Sequence, residues 1–249
     1  MNNINLESTL GIDVGGSSIK LANVSNGLVT DYKSIELPVV STPNNVFAYI
    51  RANLPQNTSD TIGIGMPCVV QNGYMKTTAN IDDSWQTINA ELVGSQMLGK
   101  RCVFINDCDA AALAEVNYGA ARHIDGTVIV LTLGTGIGTA LFHNGTLFPN
   151  TELGHIGLFG ITSDAERYAS AKVKTNLELD WHTYIDRVNV YLNELHRLLW
   201  PSAFVIGGGV SENFDQWQRY IKVPCDVYKA ELGNDAGIVG AALYAKQVS

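Results

Sequence analysis

Three times along the chain a short apolar run stops at a cluster of glycines. Residues 10–14 end at Gly15-Gly16, residues 127–131 lead to Gly134-Thr135-Gly136-Ile137-Gly138, and residues 203–206 end at Gly207-Gly208-Gly209. Apolar runs this short between turn residues read as buried strands. Glycines at their ends let backbone N–H groups turn toward an anion without side-chain obstruction. The clusters fall in both halves of the chain. Each one alone reads equally well as a plain turn; the repetition is what points to phosphate.

The intervening segments fit an α/β chain. Residues 19–24 read as a second strand, and Ser25-Asn26-Gly27 turns it into a third over 28–37, so the sheet opens with antiparallel pairs. Ser41-Thr42-Pro43-Asn44 starts a helix with Val46, Phe47, Ile50 and Leu54 at helical spacing. Residues 61–65 form a strand, 88–98 a helix stopped by Gly99, and 101–106 a strand running into an alanine-rich helix over 110–115. Further on, 139–148 form a hairpin around His143-Asn144-Gly145. Apolar positions 184, 188, 191, 192, 195, 198 and 199 trace one face of a helix over 180–200 that Pro201 stops, and 236–248 make a closing helix. Strand, glycine turn and helix thus occur twice. This predicts a duplicated α/β architecture of two lobes with a cleft between them, a small lobe of 1–107 with 236–249 and a large lobe of 108–235.

Charge and cysteine content exclude several classes. Sixteen basic against 24 acidic residues give a net charge of −8, with no basic run, so neither nucleic acid nor an anionic membrane is an expected partner. No apolar stretch reaches the roughly 20 residues of a membrane helix, and nothing before residue 10 has the pattern of a signal peptide. Cys68, Cys102, Cys108 and Cys225 are scattered without a CxxC pair, as expected of mostly buried thiols in a reducing cytoplasm.

The glycine clusters carry polar neighbours. Asp13 stands at a strand end before Gly15-Gly16, placed to hold Mg2+ through water, while Ser17 can donate to a phosphoryl oxygen; Lys20 is either a donor ligand or a surface lysine. The second cluster is no dinucleotide fingerprint, since the third glycine of that pattern would fall on Thr139, and no P-loop lysine comes after it. The third cluster could seat a base or ribose. Asn106-Asp107 lies where a strand ends and the alanine-rich helix begins. A carboxylate there serves either as a general base for a substrate hydroxyl or as a helix cap, and Asn106 can position the same hydroxyl. Glu152 and His155, three residues apart, suit hydrogen bonding to vicinal hydroxyls better than metal binding, because further ligands at suitable spacing are missing. Asn80 and Asp82 add polar groups beside Trp85, itself either a site aromatic or a core residue.

With these residues assembled, the chain resembles the ROK family of sugar kinases, most of all its polyphosphate glucokinase branch. The matches are G-I-D-V-G-G-S-x-I-K at 11–20, T-A-N-I-D-x-S-W at 78–85 and N-D-x-D-A-A-x-L-A-E at 106–115, then L-T-x-G-T-G-I-G at 131–138. H-N-G-T-L-x-P-N-T-E-L-G-H at 143–155, I-G-G-G-V-S at 206–211 and A-G-I-V-G-A-A at 236–242 complete them. The resemblance implies a two-lobe actin-like, ribonuclease H-like fold, glucose between the lobes, and a homodimer. It implies Asp107 as the base on the sugar 6-hydroxyl, with Asn80, Asn106, Glu152 and His155 holding the sugar. Glu166, in E-R-Y-A-S, matches the family's second sugar-binding glutamate. It implies Mg2+ with ATP or polyphosphate as donor, and no zinc, because the family's zinc-binding cysteine cluster is missing here as it is in this branch.

Departures concern the donor. The branch usually carries lysine where Asp83 and Ile161 stand, basic residues at Glu212-Asn213, and an acid at Gly157. Replacing exposed lysine by aspartate beside a polyanion costs on the order of 1 kcal/mol. Two other readings stay open: an ATP-dependent kinase for mannose, fructose or an amino sugar, and a non-catalytic sugar sensor. The family's repressors carry a helix-turn-helix ahead of this region, for which the nine residues before Leu10 are too few.

Overall fold

The apolar run at the start of the chain becomes the middle strand of a five-stranded sheet. A computed structural model describes residues 8–56, 58–78 and 81–249. They form two units, one from residues 8–114 with 234–249 and the other from residues 115–233. In the first, β1 (Thr9–Val14), β2 (Ser18–Ser25) and β3 (Leu28–Glu36) run antiparallel in succession. After helix α1 (Pro43–Asn53), β4 (Thr61–Met66) pairs parallel with β1. Next come a small hairpin of β5 (Val70–Gln71) and β6 (Tyr74–Met75), helix α2 (Ala90–Leu98) and β7 (Arg101–Asn106), parallel to β4. The order is β3-β2-β1-β4-β7. Leu10, Ile12 and Val14, which alternate onto one face of β1, are fully buried, and Gly11 on the opposite face is buried as well, so the strand is covered on both sides.

Helix α3 (Asp107–Tyr118) leaves β7 without a connecting loop, three residues earlier than the alanine pattern predicts. Asn106 supplies the reason: its side-chain oxygen accepts from the Asp109 N–H at 3.0 Å, an N-cap that starts the helix at once.

The second unit repeats the plan. β8 (Thr127–Leu133), β9 (Ile137–His143) and β10 (Thr146–Phe148) are antiparallel. Short helices α4 (Ala165–Ala169) and α5 (Ala171–Asn176) precede the long α6 (Trp181–Leu199). β11 (Ala203–Gly207) then lies parallel to β8, and after α7 (Phe214–Trp217) comes β12 (Asp226–Lys229), parallel to β11. The order, β10-β9-β8-β11-β12, matches the first sheet strand for strand. Tyr184, Ile185, Val188, Tyr191, Leu192 and Leu195 of α6 pack into this unit's core, whereas Leu198, counted on that face from the sequence, is exposed. It lies in the last turn, where Leu199, the next residue, packs against that core in its place.

The duplication is real, but its repeating unit is not strand, glycine turn and helix. Gly15-Gly16 and Gly134–Gly136 are turns between antiparallel strands, and only the third cluster leads from a strand into a helical turn, the 3-10 segment Gly209–Asn213. Glycine serves a tight hairpin and a helix start equally well.

The chain then returns to the first unit as helix α8 (Ala236–Gln247), which lies directly on β1, β4 and α3. A Cβ on Gly63 would fall 1.8 Å from the Ala241 carbonyl oxygen, and one on Gly240 would fall 1.6 Å from that of Ala110. Backbone meets backbone at both places, so neither neighbour can yield by turning a side chain. Gly240→Ala is expected to destabilise the protein by about 3 kcal/mol, at the upper end of overpacking costs. Thermal unfolding measured by circular dichroism should show Tm lower by about 6–12 °C, and an unchanged Tm would contradict this packing.

Candidate active site

In the first unit, three parallel strands end in one row. Asp13 of β1 is in register with Gly65 of β4, and Gly65 with Ile105 of β7, so Asp13 and the Asn106-Asp107 pair share the carboxyl edge of the sheet. Ligands of open α/β sheets gather at that edge. A Cβ on Gly65 would stand 3.8 Å from the Asp107 Cα, so a bare strand backbone passes beneath the acid.

The capping duty that Asp107 could have had belongs to Asn106. Its amide nitrogen donates to the Cys68 carbonyl at 3.1 Å while its oxygen caps α3, so both ends of the side chain are engaged within the protein. Asp107 is the first residue of α3, and its Oδ1 accepts from the Cys108 N–H at 2.7 Å. This fixes the carboxyl group at a helix N-terminus, where backbone dipoles favour negative charge.

Asp13 is largely buried, with Lys20 Nζ 3.4 Å from its Oδ2. Burial raises its carboxyl above the usual range, and the Lys20 ammonium opposes the rise. The Asp13 carboxyl also lies against Gly237 at the start of α8, where a Cβ would stand 2.9 Å from Cγ. Among the described residues no group of three His, Cys, Asp or Glu side chains could hold a metal. Magnesium, however, commonly takes one carboxylate plus waters and substrate phosphates. A single buried carboxylate fits that demand.

Next to Asp13, Gly15-Gly16-Ser17 forms a tight turn: the Gly15 N–H donates to Ser18 O at 2.8 Å, and Ser17 O accepts from the Leu37 N–H at 3.0 Å. Gly16 and Ser17 are exposed at its tip. Elsewhere in the unit, Asp82 caps the 3-10 segment Asp83–Thr87 by accepting from the Ser84 N–H at 2.9 Å and from the Ser84 hydroxyl, which hold its carboxyl below the usual range. Asn80 lies outside the described residues. Trp85 is fully buried, 5.3 Å from Phe47 ring to ring, and its indole N–H donates to Ser41 O at 2.8 Å, which makes it a core residue.

In the second unit the structure brings the second and third glycine clusters together. Thr132 of β8 is in register with Gly207 of β11, so the two turns leave the same sheet edge side by side. Gly208 sits at φ +75°, and a Cβ there would lie 2.6 Å from Leu133 O, so only glycine passes. Gly134 O accepts from the Lys172 N–H at 3.2 Å, which ties α5 to the second turn; Thr135 at its tip is exposed.

Glu152, His155 and Glu166 converge on the strand that leaves this turn. Glu166 Oε2 accepts from the Ile137 N–H at 2.9 Å, and a Cβ on Gly136 would collide with it at 2.4 Å. Gly136 is therefore the seat of Glu166, and Gly138 lies within β9. The Glu152-to-His155 segment is pinned to β9 by Thr139, whose hydroxyl donates to Thr151 O at 2.8 Å and accepts from the Leu153 N–H at 3.1 Å. Burial pushes the Glu152 carboxyl up; His155 opposes the rise and Glu166 adds to it.

One participant escaped the sequence reading. Asp164 caps α4, the helix that carries Glu166, by accepting from the Arg167 N–H at 2.9 Å, and it also stands 3.4 Å from His155 Nδ1. The first contact holds its carboxyl below the usual range, with His155 a smaller contributor. An N-cap signature, Asp ahead of a short helix, is present at 164–166 and was legible. The positions where the resembling branch has lysines are otherwise occupied: Asp83 accepts from the Thr78 hydroxyl at 2.5 Å, and Ile161 packs on the second core.

A family model for the ROK family matches residues 9–167. The chain belongs to the ROK family. The polyphosphate glucokinase of Mycobacterium tuberculosis strain CDC 1551 is 39% identical over 238 residues, covering 94% of this chain and 89% of that protein. The counterpart from Mycobacterium leprae is 37% identical over 94% of this chain and 73% of its own length. Among solved structures, the inorganic polyphosphate/ATP-glucomannokinase of Arthrobacter sp. strain KM is 34% identical, with a TM-score of 0.88 and coverage of 97% of this chain and 99% of that one. A ROK family glucokinase from Streptomyces griseus, solved with glucose and AMPPNP, gives 25% identity, a TM-score of 0.81 and coverage of 97% and 100%. The two matching sheets are thus the two lobes of the actin-like fold that ROK sugar kinases share. No helix among the described residues is long and apolar enough to cross a membrane.

Proposed function

We propose that this protein is a glucokinase that transfers a phosphoryl group from polyphosphate or ATP to the 6-hydroxyl of glucose. The observation that carries the reading is Asp107, fixed at the carboxyl edge of the first sheet with its capping role taken over by Asn106. The mycobacterial and Arthrobacter relatives support the substrate and the donors. Asp107 accepts the proton of the 6-hydroxyl as that oxygen bonds to phosphorus and the bond to the remainder of the donor breaks. Glu152, His155 and Glu166 accept and donate hydrogen bonds to the other hydroxyls, with Asn80, Asp82 and Asn106 as further polar contacts. The turns Gly15-Gly16 and Gly134–Gly138 face the donor oxygens through Gly16, Thr135 and Gly136, with Ser17 and Lys20, while the Gly15 and Gly134 N–H groups hold the turns themselves in shape and Gly138 extends the second turn into β9; Gly207-Gly208-Gly209 seats the rest of a nucleotide donor. Mg2+, held by Asp13 through water, neutralises donor charge when bound. The protein works in the cytoplasm as a homodimer, a reading that rests on family likeness. Mannose is a second acceptor to test, since the Arthrobacter relative is a glucomannokinase.

The test is a coupled assay with glucose or mannose and, in turn, ATP, GTP and polyphosphate, at about 0.05 and 0.2 M salt, where screening lengths differ about twofold. Glucose 6-phosphate is expected with both ATP and polyphosphate, the polyphosphate KM rising several-fold with salt and the ATP KM changing less. Glucose binding without product from any donor would instead support the sugar sensor.

A further inference from the structure

The chain passes between its two units at two places, after Ala114 within α3 and again between Gly233 and Asn234. Glu115 stands at the first passage and is 2% exposed. Its carboxylate takes three backbone N–H groups: Oε2 accepts from Ala120 at 2.9 Å and from Glu231 at 3.1 Å, and Oε1 accepts from Leu232 at 2.8 Å. Its main-chain carbonyl accepts from Gly119 and Ala121, both at 3.1 Å. Glu231 and Leu232 lie immediately before the second passage. One side chain therefore binds the end of α3 to the segment by which the chain returns, 116 residues away in sequence.

The surroundings are shaped for that carboxylate. A Cβ on Gly119 would fall 2.1 Å from Oε2, so the residue there must be glycine for the acid to keep its place. Three N–H dipoles pointing at one group favour a carboxylate over any neutral isostere, because charged acceptors make the stronger hydrogen bonds. Glutamine would turn an NH2 toward at least one of these donors, leaving a buried N–H without an acceptor.

We infer that Glu115 is a positioning residue for phosphoryl transfer: it clasps both chain passages at one point, so that ligand-driven movement between the units turns about a fixed pivot. Hinges are a few residues at element ends, distant from the chemistry, whose replacement changes kcat and KM together. Glu115 meets this description from α3, eight residues beyond Asp107 on the same helix. The inference rests on the kinase reading but on no particular sugar-binding residue.

The experiment compares wild type, Glu115→Gln and Gly119→Ala. The second variant keeps the charge and pushes it off its donors, so it carries the test if the first does not fold. Steady-state kinetics with glucose are combined with small-angle X-ray scattering, with and without saturating glucose, at a temperature where each variant has the wild-type circular dichroism spectrum. Both variants are expected to lose about tenfold in kcat with a shifted glucose KM, and to show less than about half the wild-type change in radius of gyration. Lower Tm with wild-type kcat, KM and scattering response would make Glu115 a staple of the second unit and overturn the inference. An inactive wild type would sink the kinase reading, while the scattering comparison would still decide the pivot.

Discussion

Asp107→Asn is expected to lower kcat for glucose phosphorylation about 1,000-fold, or about 4 kcal/mol in the barrier, while glucose Kd stays within about twofold. Asparagine retains a side-chain oxygen to accept from the Cys108 N–H, so the start of α3 is preserved. It loses the capacity to take a proton. A loss confined to kcat marks an interaction made only in the transition state. Stopped-flow or coupled kinetics alongside calorimetric glucose binding would measure both quantities, and ordinary turnover by the variant would remove Asp107 from the chemistry. Asp107→Ala should lose as much activity and some stability besides.

The second large effect is expected at Glu166. Glu166→Ala should reduce kcat/KM for glucose about 100-fold, near 2.7 kcal/mol, because it removes a proposed sugar acceptor and frees the Ile137 N–H that shapes the second glycine turn. A hydrogen bond to a charged group contributes about 1.5–3 kcal/mol, so one such contact approaches the effect and a sugar contact completes it. Glu166→Gln separates the two roles: an amide oxygen can still accept from Ile137, so the turn survives and KM rises about tenfold. A glucose KM unchanged in both variants would confine Glu166 to supporting its loop.

How much of the fold and site was legible in the sequence varied with the physical signal. Strand β7 was legible to the residue, because Arg101–Asn106 is an apolar run between a glycine turn and an alanine helix. The architecture was legible too, but the glycine clusters misled about the next element, since hairpin turns and helix starts ask for the same freedom at φ. The β5–β6 hairpin had an Asn-Gly signature, and Asn72 and Gly73 do sit at φ +53° and +78°. Helices α4 and α5 span only five and six residues, too few for periodicity to emerge. The site divides in the same way. Glu152, His155 and Asp107 stand in motifs from which a role can be proposed, Asp107 with a helix cap as the alternative. Glu115 closes the motif that begins at Asn106, yet its partners are backbone amides of a distant segment, which carry no side-chain identity to read. A lone acid after Ala110-Ala111-Ala112-Leu113-Ala114 was nonetheless a sign that something buried had to receive it.

The glycines beneath α8 bear on synthesis as well as on packing. Gly11 and Gly63 present bare backbone to a helix that follows the whole of the second unit in sequence. The second unit is continuous in sequence and can complete its own core while the first sheet waits uncovered. Birth order is thereby inverted: the sheet translated first is covered on this face only after the second unit has been made, and a nascent chain is aggregation-prone for as long as such apolar surface is open.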